Sequence, residues 1–410
     1  MTSPALVEDP ACRGPIAEEL PPSGSLPADA PLSVEQTPFA DIRRATWDRL
    51  ATASPWATPF SDWAFHRAWW DAYGTTAHDQ TLTVTDPASG ATLAIVPLMH
   101  RHEVEPTDAE THTTMRHGQD VHLTQVAATA KAVFFGASYH ADYATLLAAP
   151  DVLPAVSESV VDYLAEQATP DDPHPEPWDV VDLRRLRCGD PAADALAVAF
   201  GRREISEGWT LNVEREDVCP VVHLAAGIDF DSFLATLGKK DRHEIRRKIR
   251  RAEAVGEIRL TDSADPLADL DDFIDLHQRR WGDDGLFPPT PGGDRSRVFF
   301  RRLFEEHGPD GSLRLAFLTV GELRIAAGIH FRTADGYLYY NAGVDPEASD
   351  LSPGVLMIAA YVQRAIAEGC RRLDFLRGDE PYKYEWGATD EPVQRLLVRR
   401  SVDAAEGLAS

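Results

Sequence analysis

The last third of the chain sets reactive side chains at the ends of apolar runs. His330 lies inside LRIAAGIHFR, Asp374 closes RRLDFL, and Lys383 and Tyr384 follow in PYKYEWG. His330 and Asp374 are the residues whose chemistry suits a general base. Lys383 or Arg377 could stabilise developing negative charge or hold a phosphate. Tyr382 or Tyr384 could return a proton to a leaving group. His277 and Trp281 stand one helical turn apart further upstream.

Two further stretches suit anions. In DLSPGVLMIAAY, Ser352 suits an N-cap, Pro353 the first helical position, and Gly354 a close backbone approach. The unpaired N–H groups of such a first turn, Gly354 and Val355 included, and the helix dipole favour a negative ligand. Between Lys239 and Arg251, eight lysines and arginines face two acids, Asp241 and Glu244. Arg242, Arg246 and Arg250 recur every four residues and share one face. They could bind an anionic substrate or pair with acids nearby.

Such residues need elements to hold them. The chain has 410 residues, 43% of them hydrophobic and 26% charged, a composition for two globular domains. Its net charge of −26 disfavours nucleic acid and anionic membranes as long-range partners. No apolar run reaches the length of a membrane span and no secretory leader is evident, so a cytoplasmic location without stable membrane insertion is expected. Cys12, Cys188, Cys219 and Cys370 form no CxxC pair and are expected as reduced thiols. His100, His102, His112, His117 and His122 lack helical metal-ligand spacing, so no metal is expected.

The pattern predicts an α/β (α+β) protein with mixed sheets flanked by helices. Residues 1–36, rich in Pro, Ala, Glu and Ser, are expected to be a disordered acidic tail with order beginning near Phe39. Residues 37–212 read as helix–helix–hairpin followed by alternating strands and helices. Residues 213–410 read as helices, then an antiparallel meander through SLRLAFLTVG, ELRIAAGIHFRT and GYLYYNAGVD. A helix from Ser352, the strand RRLDFL and a last strand complete this half.

The segments VDPEASDLSPGVLM, AIAEGCRRLDFLRGDEPYKYEWG, LHQRRWGDDGLF and DFDSFLATLGKKDRHEIRRKIRRAE resemble the GNAT superfamily. They are similar in particular to its BioF2-like acetyltransferase branch, related to the FemAB and CelD-type proteins. FADIRRATWDRLATASPWATPFSDWAFHRAWWDAYG resembles the opening of that family's N-terminal half, so the resemblance covers nearly all of the chain after about residue 38. It implies two tandem GNAT-like domains. It also implies an acyl-CoA co-substrate, acetyl-CoA first, with no tightly bound cofactor. The acyl arm would lie between YLYYNAG and RRLDFL, with phosphates at Ser352, Pro353, Gly354 and Val355. Leu351 stands where the family commonly has Arg or Gln, and Leu356 where it has a small residue.

The expected reaction is direct acyl transfer to an amine on a small molecule or cell-envelope precursor. A backbone N–H near Asn341 would hold the oxyanion, and Arg377 would help to bind the donor. Aminoacyl transfer from charged tRNA, as in FemAB relatives, is the second expectation. A non-catalytic scaffold in envelope polysaccharide assembly is the third. DNA is not an expected partner.

Overall fold

A computed structural model describes residues 32–101, 123–127, 130–167 and 178–400. The described residues divide into two units, one of those up to residue 217 together with residues 392–400, the other of residues 218–391.

The first unit begins with β1 (Ser33–Gln36), α1 (Arg44–Ala53) and α2 (Trp63–Tyr73). Four strands follow: β2 (Ala77–Asp79), β3 (Leu82–Thr85), β4 (Thr92–Val96) and β5 (Leu98–Arg101). Then come β6 (Ala132–Phe135), β7 (Leu147–Ala148), α3 (Leu153–Gln167), β8 (Val180–Arg187) and α4 (Pro191–Glu207). β9 (Thr210–His223) starts in this unit and ends in the other. β1, β3, β4 and β7 form an antiparallel sheet. β2, β5, β6 and β8 form a second ladder in which only β6 and β8 run parallel, with α3 as the crossover.

Beyond Phe134↔Asp182 the parallel ladder stops, and the chain returns to bridge Ala144 to Leu186. Between these points Arg185 adopts a left-handed φ of 67° and is 1% exposed. Its Nε donates to the Ala141 carbonyl at 3.1 Å, its Nη1 pairs with Glu216, and its backbone N–H donates to the same carboxylate at 2.7 Å.

Three expectations are corrected here. Order begins before Phe39, because β1 pairs residue for residue with β3 and Val34 packs against the core. The chain from Pro392 belongs with the first unit, because β15 (Thr389–Arg399) pairs with β8, and Leu396 and Val398 join that unit's core. Cys219 and Cys370 are free and buried, whereas Cys188 is disulfide-bonded, against the expectation of reduced thiols throughout. Of the five-histidine stretch only His100 is described; it bonds the Ala132 carbonyl at 2.9 Å, and the other four lie outside the described residues.

The second unit carries α5 (Phe230–Thr236), α6 (Lys239–Glu253), β10 (Ile258–Asp262), α7 (Pro266–Trp281) and α8 (Pro291–His307). Then come β11 (Leu313–Val320), β12 (Leu323–Arg332), β13 (Gly336–Val344), α9 (Pro353–Ala367), β14 (Arg372–Asp374) and α10 (Pro381–Tyr384). Side-chain caps start α7 and α8: Asp265 accepts from Ala268 N–H and Thr290 from Gly293 N–H. β10 to β13 form the antiparallel meander, β13 pairs in parallel with β14, and β14 pairs antiparallel with Val221–His223 of β9. The core gathers Leu356, Met357, Tyr361 and Val362 of α9 against Ala326, Tyr337, Tyr339 and Leu373 of the sheet. Because α9 is apolar on most of its surface, it is buried along almost its whole length.

Candidate active site

β13 and β14 pair only through Gly336↔Arg372, Tyr337↔Leu373 and Leu338↔Asp374. β14 then stays with β9, where Phe375 N–H donates to Pro220 O and Gly378 N–H to Val218 O. β13 instead runs on alone to Val344 and bulges between Ile329 and His330 of its partner β12. The two parallel strands therefore diverge, and a gap opens along β13 from Tyr339.

An aromatic series follows the divergence. Tyr339 meets Phe375 edge-on at 6.2 Å, and Phe375 meets Tyr382 edge-on at 6.1 Å. Tyr339 is buried and Tyr382 is 37% exposed. Burial holds both phenols protonated far above the ordinary tyrosine range, with Glu380 adding to the effect on Tyr382.

α9 begins beside this gap. Ser352 sits in a left-handed conformation, φ 57° and ψ 58°, and its side chain does not cap the helix as expected. Its Oγ instead accepts a 2.8 Å hydrogen bond from Arg251 of α6. The Val355 and Leu356 N–H groups both return to the Ser352 carbonyl, and the buried Pro353 has none to offer. The Gly354 N–H is thus what the first turn retains for a ligand, and the space where a side chain would stand on Gly354 is open.

Residues 239–384 match the family model of the acetyltransferase (GNAT) domain. The chain thus carries a GNAT acyltransferase domain. A crystal structure of FemX resembles the acyltransferase at 10% identity and a TM-score of 0.53, covering 86% of this chain and 96% of that one. A conserved protein of unknown function from Bacteroides thetaiotaomicron VPI-5482 does so at 12% identity and a TM-score of 0.51, covering 88% and 98%. A tandem GNAT protein from the clavulanic acid biosynthesis pathway aligns at 10% identity and a TM-score of 0.44, covering 90% and 98%. No curated protein matches the acyltransferase. Each of its two units is built around a parallel strand–helix–strand, β6–α3–β8 in the first and β13–α9–β14 in the second.

Several expected site residues of the acyltransferase are placed elsewhere than their sequence positions suggested. Asp374 is fully buried; its Oδ1 accepts the Leu376 N–H at 2.8 Å and its Oδ2 accepts from Arg372 at 3.0 Å. It holds the turn after β14, where Leu376 adopts a left-handed φ of 58°. Lys383 is 1% exposed, and its ammonium donates to the carbonyls of Leu376, Arg377 and Gly378 and pairs with Glu380 at 2.9 Å. With at most three protons to give, it has none left for a reacting oxygen. Tyr384 donates to Asp390 at 2.6 Å rather than facing the gap. His330 sits in the core under α9, with Nδ1 2.8 Å from the Tyr361 hydroxyl, and burial holds its pKa well below the usual range. These four are positioned as structural groups.

Arg242 donates to the Ala235 carbonyl and Arg246 pairs with Asp231, so the expected three-arginine face is spent on α5 and its flanks. Only Arg250 of that trio stays on the open side of α6, where Lys239, Lys240, His243 and Arg247 line the same depression. Arg247 pairs with Glu244, whose carboxyl this bond lowers to about 2.

His277 is buried rather than free to meet a substrate. Its Nδ1 bonds the Ala342 carbonyl at 3.1 Å and its Nε2 accepts the Leu286 N–H at 3.2 Å. Trp281 is 44% exposed, with the Arg280 guanidinium 4.6 Å over its ring. Asn341 and Arg377 are half-buried, at the β13 bulge and in the turn after β14. Arg251, Tyr339 and Phe375 were not singled out by spacing. Arg251 was visible only as one more member of the basic run, and Tyr339 as one of three tyrosines in YLYYN.

Proposed function

We propose that the enzyme transfers an acyl group directly from acyl-CoA, acetyl-CoA first, to an amine on a small molecule or cell-envelope precursor. The divergence of β13 from β14 after Leu338↔Asp374 carries this reading. It leaves an unpaired strand edge beside an apolar wall, where an extended thioester arm can lie, with the first turn of α9 and Arg251 at its end for the phosphates. The amine nitrogen attacks the thioester carbonyl carbon, and a backbone N–H on the free edge of β13 holds the oxyanion. The C–S bond then breaks; the thiolate takes a proton from Tyr382, and the proton released by the amine passes through solvent to restore the phenol. Tyr382, at the exposed end of the aromatic wall, is the acid this reading assigns, because the Tyr384 proton is committed to Asp390.

The free cations of α6 favour a second reading. Lys239, Lys240 and Arg250 are exposed on one open face beside Glu244, which suits a donor with more negative charge than a thioester nucleotide, such as charged tRNA. Calorimetry with acetyl-CoA and with aminoacylated tRNA separates the two. Acetyl-CoA binding that is lost in Gly354→Val supports the first. Binding of charged tRNA alone supports the second, and binding of neither removes donor transfer at this site.

A further inference from the structure

The free edge of β13 has a polarity that follows from its register. The Asp345 N–H donates to the Ile325 carbonyl, and Gly343↔Ala327 and Asn341↔Ile329 continue the alternation. The groups of Gly343 and Asn341 therefore point to β12, and those of Ala342 and Val344 point the other way, into the gap left by β14. An edge of this kind offers carbonyl oxygens as well as N–H groups. A carbonyl oxygen beside a developing oxyanion is repulsive, and only the N–H groups help.

We propose that His277 is a positioning residue for acyl transfer, which occupies the Ala342 carbonyl so that the β13 edge presents its N–H groups to the reacting carbonyl. This rests on the reading of the gap as the donor slot. The ring's two bonds fix its orientation: Leu286 N–H needs a bare Nε2, so the proton sits on Nδ1 and is donated to Ala342 O. The other tautomer would set Nε2–H against the Leu286 N–H and a bare Nδ1 against the Ala342 oxygen. Gly343 lets α7 approach closely, because a Cβ there would stand 2.5 Å from the backbone nitrogen of His277 and 2.7 Å from the Leu276 carbonyl carbon. Any side chain at 343 would push α7 off β13 and draw the imidazole away from its acceptor. One histidine thereby ties together α7, the loop through Leu286 and the edge of β13.

The test compares His277→Ala with His277→Asn, whose side-chain N–H stands near the place of Nδ1. Amide hydrogen exchange is followed over residues 339–344, with β11 as internal reference, and acetyl-CoA affinity is measured by calorimetry. His277→Ala should exchange faster in that segment alone and bind acetyl-CoA about tenfold more weakly, the scale of one neutral hydrogen bond. His277→Asn should restore both. Wild-type exchange in His277→Ala, or identical behaviour of the two variants, overturns the assignment and leaves His277 as core filling. If His277→Ala does not fold, long-range ¹H–¹⁵N spectra of the wild type decide. A neutral Nδ1–H tautomer supports the proposal and an Nε2–H tautomer ends it. Wild type that fails to bind acetyl-CoA would remove the donor-slot reading, while the exchange comparison would still judge whether His277 holds the edge.

Discussion

Arg251 and Ser352 stand 101 residues apart in sequence, yet the guanidinium of one donates to the hydroxyl of the other across 2.8 Å at the first turn of α9. The loop before that turn carries Leu351, and on the proposed reading of the turn as the donor's phosphate site the cation would come from the neighbouring helix. Arg251→Gln should weaken acetyl-CoA binding about tenfold, more at low salt than at high, because a single exposed charge contact is worth about 1 kcal/mol and is screened. The melting temperature should hardly move. Unchanged affinity across a salt series would separate Arg251 from the donor.

Gly354 offers a cleaner probe of the same turn. Outside its own helix backbone and chain neighbours nothing lies within 4 Å of where its Cβ would be, so Gly354→Val has open space to enter. Calorimetry should show donor binding abolished and thermal stability retained. A folded variant that binds acetyl-CoA normally would mean that no donor approaches this turn.

Lys383→Met should act on stability first. The substitution strands three carbonyls and Glu380 in the turn after β14, and removing a buried charged donor costs about 3 kcal/mol. Urea unfolding should show the loss. Wild-type stability with reduced turnover would restore Lys383 as a group acting on the reaction.

Acid should loosen the fold well before carboxylates protonate. Burial lowers His277 to about 4 and His66 and His140 each to about 3, against 6.5 in an open chain. Below 6.5 the unfolded chain binds protons that the folded one refuses, so stability is complete above that pH and falls as pH drops toward 4. Each such histidine contributes a slope of about 1.4 kcal/mol per pH unit. Denaturant midpoints that stay level from pH 7 to pH 5 would contradict these burials.

A chain beginning at Leu32 should melt several degrees above one beginning at Phe39. The shorter chain loses the whole β1 ladder with β3 and leaves β3 as an open edge. Equal melting temperatures would show that β1 adds nothing.

The second unit was legible in sequence where local chemistry dictates structure. The meander announced itself through alternating apolar residues between VGEL and TADG, and α9 through Ser-Pro-Gly before a long apolar run. The site was less legible, because side-chain destinations depend on contacts far apart in sequence. Asp374, Lys383 and His330 have the right chemistry for catalysis, but tertiary packing assigns them a turn, a loop clamp and a core bond. Nothing local shows that Lys383 curls back on three carbonyls, or that Arg242 and Arg246 face α5 while Arg250 does not. β1 was missed because four residues after a proline-rich stretch carry too short a period to read.

In the first unit Arg185 fills the place where β6 and β8 would otherwise part, and its charge is answered by Glu216. Two units that each carry a parallel strand–helix–strand raise the question of communication between them. Among the described residues the first unit closes this place with its own backbone and side chain, so on the proposed reading the second unit carries the donor slot to be saturated. Its binding curve should be hyperbolic, and any sigmoidal response in this enzyme would have to arise between chains rather than within one.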